Sequence, residues 1–329
     1  MHKICTDSNI RINNLLEGNR RERYLNDILD GLTADRKYIS SIFFYDEKGS
    51  KLFEKITALP EYYLYDAEKK LLKEIAPEIC SSFQGIDIVE IGSGDCSKIS
   101  LLLASIPPSR RETVRYVPVD ISYSALRESA GIISERFPRI EFTGIVADFL
   151  NQMDRIPEAD GRFFCFFGST IGNLSAEQAL MYMKGLRGAM APGDNLLLGV
   201  DMVKDRHIIE SAYNDSEGVT AEFNRNILNV VNSIADTDFN PEGFRHLAFF
   251  NNDKSRIEMH LEAAGNMKIS THHLKEVIVL EKGERIHTEN SHKFSREQIE
   301  MLIESAGLRV REFYTDDREW FSLVLVVRE

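Results

Sequence analysis

The chain has 329 residues, 43% of them hydrophobic, and a formal net charge of -12, which is enough apolar material for one large domain or two packed ones. The acidic balance argues against the broad basic face that nucleic acid or an anionic membrane would require, and no apolar run approaches the roughly 20 residues that span a bilayer. The opening MHKICTDSNIRINN has no signal-peptide core, so the expectation is a cytosolic protein, monomeric, with no nucleic-acid or membrane partner.

The first 60 residues are too short and polar to fold alone and are expected to pack with a later part of the chain. From residue 86 onward strand and helix alternate. IDIVEI (86–91), TVRYVPVD (113–120), IEFTGIVAD (140–148), GRFFCFFG (161–168) and DNLLLGVD (194–201) read as strands. Helices are expected to begin near Ser97, near Ser122 and at Ser175, the last stopped by Ala191-Pro192-Gly193. Such alternation demands a parallel sheet covered on both faces, in which ligands sit beyond the carboxyl ends of the strands. Gly92–Asp95, Asp120, Asp148 and Gly168–Asn173 should therefore converge on one edge.

After residue 201 the rhythm changes. Helix-like stretches at 203–216 and 219–236 precede strand-like HLAFFNN (246–252), RIEMHLEA (256–263) and EVIVLEKGERIHTE (276–289), the pattern of an inserted lobe. A helix at 296–306 and two strands, LRVREFYTD and FSLVLVVRE, then return to the core rhythm. The division expected is a lobe of 1–60 and 202–290 and a core of 61–201 and 291–329.

Cys5, Cys80, Cys96 and Cys165 are widely spaced with no CxxC pair, so neither a disulfide framework nor a zinc site is signalled. His272-His273, His287 and His292 lack the i, i+4 spacing that aims two imidazoles at one metal, and no metal is expected.

Val89-Glu90-Ile91-Gly92-Ser93-Gly94-Asp95 ends a buried strand with two glycines, whose missing side chains allow close approach of a nucleotide or amino-acid moiety. The dinucleotide fingerprint wants Gly or Ala where Ser97 stands, and E-x-G-x-G resembles the S-adenosylmethionine turn of class I methyltransferases better. Asp120 fits two roles equally: a carboxylate for two ribose hydroxyls, or an exposed cap of the next helix. Asp148-Phe149 adds a carboxylate for an adenine amino group beside a ring for its face.

Motifs along nearly the whole chain resemble the ergothioneine-pathway histidine Nα-methyltransferase family. They are Phe44-Tyr45-Asp46, Gly49-Ser50, Leu52-Phe53, Ile56-Thr57-x-Leu59-Pro60-Glu61-Tyr62-Tyr63, Val89–Gly94 with Lys98, and Pro118-Val119-Asp120-Ile121-Ser122. Phe167–Asn173, Ala212-Tyr213-Asn214-Asp215, Thr220–Asn226, Ile257-Glu258-Met259 and Thr288-Glu289-x-Ser291-x-Lys293-Phe294 continue the match. The resemblance implies an α/β fold: a Rossmann-like class I methyltransferase core, a mainly parallel seven-stranded sheet with helices on both faces, and a second α+β substrate-binding lobe. It implies S-adenosyl-L-methionine as cofactor and a free amino acid, histidine, as the small-molecule substrate.

By that resemblance Tyr45, Gly92, Gly94, Lys98, Asp120, Asp148, Phe149 and Gly168 line the cofactor site. Tyr62, Asn173 and Tyr213 hold the substrate's amino and carboxylate ends, with Tyr62 and Tyr213 as the catalytic pair, while Met259, Glu289 and Ser291 form the side-chain pocket. Taken singly, the three tyrosines also fit ordinary half-buried packing, Met259 fits a strand's core face, and Glu289 with Lys293 fits a solvated pair. The chain departs from the family at Leu64-Tyr65-Asp66, where Pro-Thr-Arg is usual, which bears on the pocket entrance and on substrate choice. Three other functions share parts of the pattern: methylation of another aromatic amino acid or another histidine nitrogen, a non-catalytic adenosyl-binding protein, and a nicotinamide-dependent dehydrogenase.

Overall fold

The strands follow the alternation of apolar residues closely enough that most boundaries fall within two residues of the pattern. A computed structural model describes residues 2–3, 9–16, 20–148, 152–275 and 277–329. Its strands in chain order are β1 (His2–Lys3), β2 (Ile10–Asn14), β3 (Asp87–Ile91), β4 (Arg115–Asp120), β5 (Glu141–Val146), β6 (Arg162–Phe166) and β7 (Asn195–Asp201). They continue with β8 (Phe244–Asn251), β9 (Arg256–Ala263), β10 (Met267–Ile269), β11 (Ile278–Leu280), β12 (Arg285–His292), β13 (Arg309–Thr315) and β14 (Phe321–Val327). The chain divides into two compact units: Met1–Glu17 with Asp66–Met202 and Phe294–Glu329, and Gly18–Tyr65 with Val203–Lys293.

The first unit is built on one sheet in the order β1-β2-β5-β4-β3-β6-β7-β14-β13. The strands from β2 to β7 run parallel, and β14 pairs antiparallel with β7. The seven strands from β5 to β13 are the expected class I methyltransferase sheet. On each, successive side chains point to opposite faces. Ile88, Phe163 and Cys165 join one apolar cluster with the helices Tyr63–Cys80, Ser97–Ser105 and Tyr123–Arg136. Val89, Ile91, Phe164 and Phe166 join a second with Ala176–Ala189 and Arg296–Ser305. Ser122 and Ser175 cap their helices as read, the latter with Gln178 in a reciprocal capping box. One segment departs from the expectation that residues 1–60 belong with the insertion: β2 pairs with β5, and Ile12 is 1% exposed in the core of the first unit. The alternation in Ile10-Arg11-Ile12-Asn13 is a strand signal, and an open edge strand gives it a partner.

The second unit has a three-stranded antiparallel sheet, β12-β9-β8, and a hairpin of β10 with β11. The helix Val219–Ala235 supplies Phe223, Ile227, Leu228 and Val231 to the same apolar cluster as Ile257, Met259 and Leu261 of β9. The N-terminal part of this unit is tied to the edge of β12, where Ile39 N donates to the His287 carbonyl at 2.8 Å and His287 N donates to Lys37 at 2.9 Å. Two expectations change in this unit. The run 276–289 is not one strand, because the chain turns between β11 and β12 with Gly283 at φ +87°. The stretch 203–216 holds only the six-residue helix Arg206–Ser211, which Asp205 caps.

Candidate functional site

The order of strands reverses at β3, with β4 on one side and β6 on the other, so the loops after these strands meet at a crevice. Gly92 and Gly94 both have positive φ, +68° and +51°. A Cβ at Gly94 would meet nothing within 4 Å, so there it is the backbone conformation rather than crowding that requires glycine. Asp120, at the end of β4, accepts from Ser122 N at 2.9 Å. Burial raises its pKa, and backbone N–H groups of Ser122, Gly94, Ile121 and Ser93 pull it down. The glycine turn and Asp120 therefore form one cradle. Ser93 is 4% exposed, and its Oγ is a buried polar atom with no hydrogen-bond partner among the described residues. Such an orphan costs free energy unless a ligand satisfies it, and it fits the polar groups of an adenosyl amino acid.

Asp148 follows β5, and its N–H donates to Gln152 Oε1 at 2.9 Å. Phe149 lies outside the described residues. Gly168, after β6, has φ +77°, and its N–H lies 2.9 Å from both carboxylate oxygens of Glu68. Glu68 is 1% exposed and also pairs with Lys98 Nζ at 2.8 Å. A Cβ at Gly199 would sit 2.3 Å from Glu68 Oε1, so glycine there gives the carboxylate its room. Next to Gly168, Ser169 has φ +54°, and its Oγ accepts from Asp201 N at 2.9 Å. This fixes the short helical turn Thr170–Asn173, where Asn173 stands.

Glu90 lies beneath the glycine turn at 2% exposure, with the Tyr116 hydroxyl donating to its carboxylate. Burial pushes its pKa up to about 8. A carboxyl raised in this way holds a proton in the folded state that the unfolded chain has released, so the contribution of Glu90 to folding stability is fully present below the unfolded value and is lost as pH rises to about 8. The slope is about 1.4 kcal/mol per pH unit between the unfolded value of roughly 4.3 and the folded one. Glu90→Gln is expected to remove that loss. Urea midpoints measured from pH 5 to 8 for both proteins check it, and parallel curves would refute it.

In the second unit an aromatic chain leads from Tyr45 to Tyr213. Tyr45 packs edge-on against Phe53 at 5.7 Å and Phe223 at 5.9 Å, Phe53 against Tyr62 at 6.1 Å, and Tyr62 against Tyr213 at 6.4 Å. Asp46 holds its start, accepting from Gly49 N at 2.7 Å and Asn226 Nδ2 at 2.8 Å. Tyr45 leaves 47% of its surface exposed, while Tyr213 is 6% exposed.

The β9–β12 pair carries the remaining residues. Glu289 lies opposite Met259 and Ser291 opposite Ile257, with a register shift between His287 and Glu289. That bulge turns the odd-numbered residues of β12 to the face that Ile286 and Thr288 occupy before it, so Glu289 and Ser291 share a face with Met259. Tyr213 Oη donates to Ser291 Oγ at 2.7 Å. Burial pushes the Glu289 pKa up to about 7, with Lys293 pulling the other way.

The structure thus gathers Gly92, Gly94, Lys98, Asp120, Asp148, Gly168 and Asn173 at the strand ends of the first unit. Tyr45, Tyr62, Tyr213, Met259, Glu289 and Ser291 belong to the second. Glu68 was not singled out from sequence, and Ser93 was named there only as part of the glycine turn. Leu64-Tyr65-Asp66 opens the helix Tyr63–Cys80, with Leu64 4% exposed and Asp66 in the first turn, where a carboxylate favours the helix dipole. Among the described residues one group could offer three ligands to a metal, Asp236 with His272 and His273, whose ring nitrogens lie 3.7 and 3.6 Å from the Asp236 carboxylate. None of the site residues named above belongs to it. No helix of the described residues is long and apolar enough to cross a membrane.

Residues 24–328 match the family model described as histidine-specific methyltransferase, SAM-dependent. The chain is 37% identical over 302 residues to "Histidine N-alpha-methyltransferase" of Mycobacterium tuberculosis (strain CDC 1551 / Oshkosh), covering 92% of this chain and 94% of that protein. It is 37% identical over 316 residues to the protein of the same name from Mycolicibacterium smegmatis (strain ATCC 700084 / mc(2)155), covering 96% and 98%. "Ergothioneine biosynthesis protein 1" of Neurospora crassa is 30% identical over 303 residues, 86% of this chain and 32% of that longer protein.

Proposed function

The chain belongs to the histidine-specific, S-adenosylmethionine-dependent methyltransferase family, and from that premise we propose that it methylates the α-amino nitrogen of free L-histidine. We assign the cofactor to the first unit and the amino-acid side chain to the second. The observation that carries the substrate assignment is the shared face of Met259, Glu289 and Ser291, with Tyr213 bonded to Ser291. An apolar residue, an anionic acceptor and a hydroxyl together match an imidazole, which has an apolar body and two polar nitrogens. The names of the two mycobacterial relatives support the same nitrogen and the same amino acid.

In the first unit Gly92, Gly94 and Ser93 would receive the amino-acid end of the cofactor, Asp120 its ribose hydroxyls, and Asp148 its adenine. Bound there, S-adenosylmethionine supplies an electrophilic methyl group on a sulfonium. Tyr62 and Tyr213 are assigned to orient the substrate amine, whose lone pair must point along the line of displacement at about 3–3.5 Å. Asn173 is assigned to the substrate carboxylate. Repeated transfer would carry the product to the trimethylated betaine hercynine, in ergothioneine biosynthesis, a reading the Neurospora relative's name supports.

The test is incubation with labelled S-adenosylmethionine and each of the twenty amino acids, followed by mass spectrometry. Histidine carrying one to three methyl groups on the α-nitrogen is the expected product. Label on another amino acid or a ring nitrogen overturns the substrate, and no product at all makes the protein an adenosyl binder.

The pH dependence follows from two groups acting in the same sense. A protonated amine has no lone pair, and a free amino acid's amine has a pKa above the roughly 8 of a peptide's. Glu289 becomes ionised, and so a stronger acceptor for an imidazole N–H, as pH rises past about 7. kcat/KM for histidine is therefore expected to climb from about pH 6 to about pH 9. A flat profile over that range would mean that the enzyme binds an already neutral amine or that the nucleophile is another group.

A further inference from the structure

Lys293 is 1% exposed and directly follows β12, two residues beyond Ser291. Its Nζ donates to Ser291 Oγ at 2.9 Å and to Tyr213 Oη at 3.1 Å, and lies 4.9 Å from the Tyr213 ring centroid. Tyr213 Oη in turn donates to Ser291 Oγ. A serine hydroxyl has two lone pairs and one hydrogen. Both lone pairs are taken, one by the ammonium and one by the phenol. Ser291 therefore has only its O–H left to offer, as a donor.

We propose that Lys293 is a positioning residue that makes this pocket select the neutral imidazole ring: it holds Ser291 as a hydrogen-bond donor while Glu289 acts as the acceptor. A neutral imidazole has one N–H and one bare nitrogen and is satisfied at both ends. An imidazolium presents two N–H groups, one of which would face the Ser291 hydrogen with the Lys293 ammonium behind it. Among the described residues, the charged and titratable groups recorded around Ser291 include Glu289 and Lys293 from its own segment, Tyr213 from the segment after Arg206–Ser211, and Tyr45, which interacts with both Glu289 and Tyr213. The inference rests on histidine as substrate and adds a residue and a protonation state to that reading.

The test is calorimetric binding of histidine and of 1,2,4-triazolylalanine, whose ring stays neutral, at pH 8 and pH 5.5 with S-adenosylhomocysteine present. With an imidazole pKa of roughly 6.5, about nine-tenths of histidine side chains are cationic at the lower pH. Protonation of Glu289 affects both ligands, so the difference between them isolates the ring. Between the two pH values wild-type protein is expected to lose about tenfold more affinity for histidine than for the triazole. Equal losses overturn the proposal without any substitution. Lys293→Met frees a lone pair on Ser291 and is expected to shrink the gap below about threefold while leaving S-adenosylhomocysteine affinity, and hence the fold, unchanged. A full gap in a variant that keeps that affinity overturns the role of Lys293. If wild-type protein binds histidine at neither pH, the substrate assignment itself falls, a result that the other outcomes do not resemble.

Discussion

Asp120→Ala is expected to weaken cofactor binding by about 2–4 kcal/mol, roughly thirtyfold to a thousandfold, as measured by calorimetry with S-adenosylhomocysteine. The size follows from the chemistry of the position. Asp120 ends β4 beside the glycine turn, where burial raises its pKa and the backbone N–H groups that converge on it offset part of that rise. An ionised carboxylate accepts from two ribose hydroxyls at once, and each charge-assisted bond lost leaves a polar group of the ligand without a partner. Asn keeps one acceptor oxygen and the shape, so Asp120→Asn should fall between alanine and wild type. The helix after β4 is capped by Ser122, not by Asp120, so the melting temperature should move little. Unchanged affinity in the alanine variant would leave Asp120 as a local turn residue and remove the ribose assignment.

The parts of this site that could be read from sequence depend on short-range rules. Ser122 and Ser175 announced their helices because a cap acts within three residues, and Gly92-x-Gly94 announced a turn because only its own backbone must be accommodated. Glu68 could not be read in this way. In Asp66-Ala67-Glu68-Lys69-Lys70 it looks like part of a solvated helix face, and its burial depends on Lys98, Gly168 and Gly199, distant in sequence. The buried placement of Lys293, which the sequence allowed to be half of a solvated pair, was obscured by the bulge in β12. A one-residue slip reverses which side chains face inward, so a period of two counted through 276–289 misplaces everything after Thr288. The break at Gly283 hid that phase a second time, because a run rich in Val and Ile reads on as a strand until a turn with positive φ interrupts it. Only the resemblance to a family drew attention to Glu289 and Ser291, since an exposed strand end would carry the same residues.

Glu289→Ala is expected to raise the half-saturating histidine concentration about tenfold to a hundredfold and to leave S-adenosylhomocysteine affinity unchanged. A hydrogen bond to a charged partner is worth about 1.5–3 kcal/mol, and its loss leaves the ring N–H facing an apolar space beside Met259. Under the proposed assignment the carboxylate is the acceptor for the ring, because Ser291 already accepts from Lys293 and Tyr213. Ser291 is therefore not expected to take over the bond. Selectivity should change along with affinity. An alanine leaves an apolar wall with one hydroxyl donor, which suits a phenyl ring better than it suits an imidazole, so the relative rate with phenylalanine should rise. Glu289→Gln separates charge from shape: its amide oxygen still accepts the ring N–H, and its loss should be several-fold smaller than that of alanine. It should also flatten the part of the histidine pH profile that centres near 7, since Glu289 titrates there. If the alanine variant kept wild-type kinetics with histidine, Glu289 would be a surface carboxylate and the imidazole reading of β12 would fall with it. If cofactor affinity dropped together with histidine affinity, the alanine variant would have lost local folding, and Glu289→Gln, which keeps the shape of the side chain, would carry the test instead.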